Sequence, residues 1–125
     1  MKHLTYFLLA FIISSANLNA QNSKSLCGVN VNSAVSYSKL NRFKISFSNV
    51  NASKTITSIE FMVQVQNSFG ENIGSQTEIW ETGWDSPLQP GKSEYILRST
   101  KIKDMSRINV SVIRVKYADG SKCNE

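Results

Sequence analysis

Three carboxylates in the middle of the chain, Glu78, Glu81 and Asp85, stand close enough in sequence to raise the question of glycoside hydrolysis. That chemistry needs two acids flanking a sugar at a set separation, one of them in an apolar setting that raises its pKa. Nothing around these three marks such a cleft, so solvent-facing charge is the default reading. The histidine count narrows the remaining chemistry. The only histidine is His3, inside a stretch that reads as a removable leader. Without it, Ser-His-Asp and Cys-His catalysis, histidine bases and ordinary zinc sites drop out. Glycine-rich phosphate loops are missing too, and no catalytic residue, metal or cofactor is expected.

Two cysteines, Cys27 and Cys123, stand near opposite ends of the chain. In an exported protein an even number of distant cysteines favours a disulfide over a metal pair. Closing so long a loop would stabilise the fold by about 4 kcal/mol in the chain-entropy model. Lipidation of Cys27 is not expected, because Lys24-Ser25-Leu26 lacks the small residues such a site requires.

Trp80, Trp84 and Tyr95 are the candidate aromatic surface, suited to sugar rings or to a protein partner. The alternative is that they plug the core, and their exposure decides. Arg114 and Lys116 are the candidate basic contribution. They belong to a cation-rich C-terminal part with Arg98, Lys101, Lys103, Arg107 and Lys122, whereas Glu60, Glu71, Glu78, Glu81, Asp85 and Glu94 lie in the middle. An anionic envelope partner, a lipid head group or an acidic glycan, fits this asymmetry, and a solvated basic face is the alternative. No nucleic-acid partner is expected.

The elements that must position these residues begin after the leader. Residues 1–20 carry one early cation, Lys2, then an apolar run from Tyr6 to Ile13 too short to span a bilayer, then small and polar residues. That order predicts a signal peptide cut after Ala20, with Ala16 as the alternative, and no transmembrane segment elsewhere. Residues 21–125 suffice for one domain. The expected location is exported, periplasmic or extracellular.

Within that domain apolar residues alternate with polar ones. Val29, Val31, Val35 and Tyr37 mark a first strand broken near Ser33, and Phe43, Ile45 and Phe47 mark a second. Ile59, Phe61, Val63 and Val65 mark the inward face of a long central strand that ends in the turn Asn67-Ser68-Phe69-Gly70. An irregular or edge strand is expected over 73–84, then a Pro90-Gly91 turn and a strand announced by Tyr95 and Leu97.

In the last long strand, Ile108, Val110 and Val112 are apolar at even positions, but Ile113, Val115 and Tyr117 at odd ones. One extra residue at Val112-Ile113 would restore a single buried face, as a β-bulge does; cover on both faces is the alternative. Asp119-Gly120 signals a tight turn before Cys123. Phe43, Ile45, Phe47, Ile59, Phe61, Val63, Val65, Val110 and Val115 are the expected core. The fold class is all-β, an antiparallel sandwich of about seven strands.

Ser53-Lys54-Thr55-Ile56, Ile59-Glu60-Phe61, Val63-Gln64-Val65-Gln66-Asn67-Ser68-Phe69-Gly70, the Pro90-Gly91 turn and Tyr117-Ala118-Asp119-Gly120-Ser121 together resemble the bacterial FxLYD-type modules. Val63-Gln64-Val65-Gln66-Asn67 stands where that family has Phe, any residue, Leu, Tyr and Asp, so the strand pattern is kept and the aromatic signature is not. The resemblance implies an immunoglobulin-like sandwich, exported or envelope-associated, and brings no catalytic residues. The expected role is a non-catalytic binding or structural module of the cell envelope, with an envelope protein or glycan as partner. The alternatives are a secreted inhibitor presenting Ser86 to Gly91, or a carboxylate-only hydrolase.

Overall fold

The computed structural model describes residues 18–19, 23–25, 27–82 and 86–125. Most of the expected leader, together with Trp84 and Asp85, lies outside the described residues. Nine strands follow in chain order: β1 (Leu18–Asn19), β2 (Ser23–Lys24), β3 (Val29–Tyr37), β4 (Arg42–Asn49), β5 (Ile56–Gln66), β6 (Asn72–Glu81), β7 (Ser93–Ser99), β8 (Arg107–Tyr117) and β9 (Lys122–Asn124). The last seven, each of three residues or more, build the sandwich.

One sheet runs β3-β4-β7, with β1 and β2 both paired to the outer edge of β3, and the other runs β6-β5-β8-β9. All pairings are antiparallel. This is an immunoglobulin-like partition, in which strands one, two and five of the seven share a sheet. Leu18 pairs with Val35 and Asn19 with Ala34, so a cut after Ala16 keeps that pairing and a cut after Ala20 removes it.

Each sheet turns one row of apolar side chains inward, and the two rows meet. Phe43, Ile45 and Phe47 from β4, Ile59, Phe61, Val63 and Val65 from β5, and Val110 and Val115 from β8 are at most 2% exposed. Phe47 stands at the centre, its ring 5.2 Å from Phe61 and 5.4 Å, edge on, from Trp80. Such aromatic contacts add to the area they remove from water.

Bulges fall in four strands, with Ile73 the extra residue of β6. In β8, Arg114 pairs with Glu60 and Val112 with Phe61, so Ile113 is the extra residue and the face stays single. In β3 the register shifts between Val31 and Ser33. The strand therefore buries Ala34 and Ser36 and turns Val35 and Tyr37 away from the core, contrary to the simple alternation. In β5 the shift falls between Ile56 and Ser58. A further correction concerns β7, where Ile96 is the inward residue and Tyr95 and Leu97 are exposed.

Cys27 and Cys123 form a disulfide between the segment leading into β3 and strand β9, which ties the first sheet to the second. Beside it the Tyr117 hydroxyl donates to the Cys27 carbonyl at 2.6 Å. On the opposite flank the Arg98 guanidinium donates to the Ile79 carbonyl at 3.2 Å and pairs with Glu78 at 3.3 Å, while Gln76 Nε2 donates to the Ser99 carbonyl at 3.2 Å. These side chains occupy the backbone edges of β6 and β7 that would otherwise be open to pairing. Among the described residues no helix is long and apolar enough to cross a membrane.

Candidate functional site

The candidate site lies on the outer face of β6-β5-β8-β9, where the strand register sets charged side chains in two rows. Glu81 pairs with Ser58, Ser58 with Lys116, and Lys116 with Lys122. The adjacent row is Ile79, Glu60, Arg114 and Asn124. Arg114 donates to Glu60 at 3.0 Å, a surface pair that fixes geometry more than stability.

Among the described residues the first row has no such ion pair. Lys116 and Lys122 are both exposed and directly opposite one another, an arrangement that costs free energy on an antiparallel sheet. Glu81 stands across Ser58, two strand spacings or about 10 Å from Lys116. Ser58 is too short to fill the gap. The result is a depression of about 210 Å³ with Glu60 and Glu81 on one side and Arg114, Lys116 and Lys122 on the other. A second hollow, sharing Ser58, Glu81 and Lys116, continues it toward Ala118 and Gly120.

The two bulges explain why the face is concave here. The extra residues at Thr57 in β5 and Ile113 in β8 lie on either side of the Ser58–Glu60 segment, and bulges steepen local twist and re-aim neighbouring side chains. Thr57 also donates its hydroxyl to the Lys116 carbonyl at 3.2 Å, holding the two strands at this point. At the far end of the groove burial pushes the Tyr117 phenol up from its ordinary value, and hydrogen bonds from Ser121 hold the Asp119 carboxyl down.

The sequence-selected residues do not form one surface. Arg114 and Lys116 line the groove. Trp80 is 9% exposed with its ring against Phe47, so it belongs to the core. Tyr95 is exposed on the other sheet, with Lys44 Nζ 4.5 Å above its ring, and Trp84 lies outside the described residues. Trp80 and Tyr95 therefore share no aromatic platform.

The carboxylates separate in the same way: Glu78 and Glu81 fall on opposite faces of β6, and Glu78 is held by Arg98. In the Ser86–Gly91 loop Leu88 is buried, its backbone paired with Ile56, and the Gln89–Lys92 turn projects.

Sequence reasoning passed over Ser58 and Lys122 as site residues. For Lys122 a signal existed, since the Asp119-Gly120 turn pairs Tyr117 with Ser121 and so sets Lys116 opposite Lys122. Ser58 carries no signal of its own; only the alignment of four strands reveals the gap. Comparison with known proteins yields no match to any family model, curated protein or solved structure.

Proposed function

We propose that this protein is an exported, non-catalytic binding module of the cell envelope whose β6-β5-β8-β9 face takes an acidic glycan. One observation carries the reading: two exposed lysines, Lys116 and Lys122, lie opposite one another and face Glu81 across the gap at Ser58. A sugar carboxylate would relieve the repulsion between the lysines, and neighbouring ring hydroxyls would donate to Glu81 and exchange hydrogen bonds with Ser58. Neutral glycans would lack the first contact, and nucleic acid would meet the repulsion of Glu60 and Glu81.

The Cys27–Cys123 disulfide supports an oxidising, exported setting, the kind of compartment in which such bonds persist. The likeness to FxLYD-type modules belongs to the same reading.

The test is a titration of the isotopically labelled protein with a uronic-acid oligosaccharide and, in parallel, with its neutral counterpart. Amide shifts should move at Ser58, Lys116 and Lys122 with the acidic sugar alone, and the response should vanish in a Lys116→Gln/Lys122→Gln variant. Equal response to both sugars, or none to either, overturns the reading.

A further inference from the structure

The pole of the sandwich farthest from this groove carries a second feature. Three connections meet there: the 3-10 turn Ser38–Leu40 between β3 and β4, the Asn67–Glu71 turn between β5 and β6, and the segment 100–106 between β7 and β8. They are contiguous, since Ser38, Ser68, Phe69 and Met105 line one hollow. At its apex Phe69 is 87% exposed, and Leu40 is 67% exposed on the neighbouring turn. A single exposed apolar residue is ordinary, but two large ones at the tips of adjacent turns are not demanded by folding.

Both tips are rigidly presented. Asn67 Oδ1 accepts from the amides of Phe69 and Glu71, each at 3.0 Å, and Gly70 at φ 80 closes the turn on the Asn67 carbonyl. Asn41, left-handed at φ 51, donates its amide to the Ser38 carbonyl and ends the turn bearing Leu40.

Around these tips Lys39, Arg42, Lys101, Lys103 and Arg107 are exposed, against Glu71 and Asp104. Among the described residues none of the five cations lies in a salt bridge. Its exposed apolar surface is confined to two projecting tips, Phe69 and Leu40, and cations surround them. Those properties suit a lipid interface better than a protein partner, which would require a wider complementary area.

We propose that this pole docks on an anionic lipid bilayer, Phe69 and Leu40 entering at the headgroup level while the five cations meet lipid phosphates. The cations would supply the attraction and the two apolar tips the insertion. The groove at Lys116 lies nine residues along β8 from Arg107, about 30 Å away in an extended strand. The two surfaces can therefore be tested separately.

The experiment is co-sedimentation of the full chain with vesicles of phosphatidylcholine alone and of phosphatidylcholine with phosphatidylglycerol. Binding is expected only to the second and should weaken as salt is added. Phe69→Ser should lower the affinity roughly tenfold to a hundredfold, and Lys103→Gln about fivefold. Both positions are exposed, so near-ultraviolet circular dichroism should match the parent. Lys116→Gln/Lys122→Gln should retain vesicle binding. Failure to bind the phosphatidylglycerol vesicles, equal binding to both compositions, or undiminished binding by Phe69→Ser overturns the proposal.

Discussion

Replacing Asn49 should be among the most damaging single changes outside the apolar core. This residue ends β4 with no exposed surface, and its side chain is fully hydrogen-bonded. Nδ2 donates to the carbonyls of Lys54 at 2.8 Å and Leu88 at 2.9 Å, while Oδ1 accepts from the Asn51 amide at 2.9 Å and from Asn51 Nδ2 at 3.0 Å. One side chain thus joins the 50–54 connection, the Leu88 bridge and the Asn51 contact that reaches back to the Cys27 carbonyl.

In Asn49→Leu the number and branching of heavy atoms are kept, so the main cost is the groups left behind. Leu88 O still receives the Ile56 amide, but Lys54 O and the Asn51 amide lose their partners. At roughly 1–3 kcal/mol for each orphaned group in a buried setting, lessened here because both contacts are only partly buried, the expected loss is about 2–3 kcal/mol. Asn49→Asp should do worse at neutral pH, because it sets a carboxylate against two carbonyls, and should recover as acid protonates it. Urea unfolding followed by tryptophan fluorescence measures both, with an unchanged slope showing that the folded state is intact. An Asn49→Leu protein within about 1 kcal/mol of the parent would refute the assignment of Asn49 as a hub.

Three further perturbations test other parts of the fold. Gly28→Ala should cost about 2–3 kcal/mol, since φ is 80 and a Cβ would run into the Asn51 side chain, whereas Gly120→Ala, at φ 88 in open space, should cost about 1 kcal/mol by urea titration. Reducing Cys27–Cys123, or replacing both by Ser, removes a closure of 96 residues' separation and should lower stability by about 4 kcal/mol; an unchanged melting temperature would contradict this. Burial raises the folded pKa of Tyr117 above its unfolded value of about 10, so its contribution is present below that pH and is lost as pH rises through the folded pKa. Tyr117→Phe should therefore show a shallower alkaline loss of stability than the parent, in unfolding curves taken from neutral to strongly basic pH.

Much of the fold was legible because burial imposes a period of two on a strand. The nine residues selected as core are buried, and the bulge at Ile113 could be read from a change of parity within β8. In β3 the break expected near Ser33 is present as a register shift after Val31, but beyond it alternation misled, because the inward face passes to Ala34 and Ser36 and Val35 and Tyr37 face away from the core. It misled again in β7, where Tyr95 and Leu97 outweigh Ile96 in apolar character yet lie outside. Outward apolar residues there rest on Lys44 and the edge of the sheet, which alternation does not distinguish from a core.

The linear sequence determined the sandwich, its long central strand, its turns at Gly70, Gly91 and Gly120, and the pairing of its two cysteines, because each follows from local periodicity, backbone freedom or simple count. The groove and the apolar pole were decided only in three dimensions. Glu81, Ser58, Lys116 and Lys122 come from four strands and meet through register. Phe69 and Leu40 come to the same pole because three connections end there. Register and loop convergence depend on how sheets pair and pack, and no single stretch of the chain encodes them.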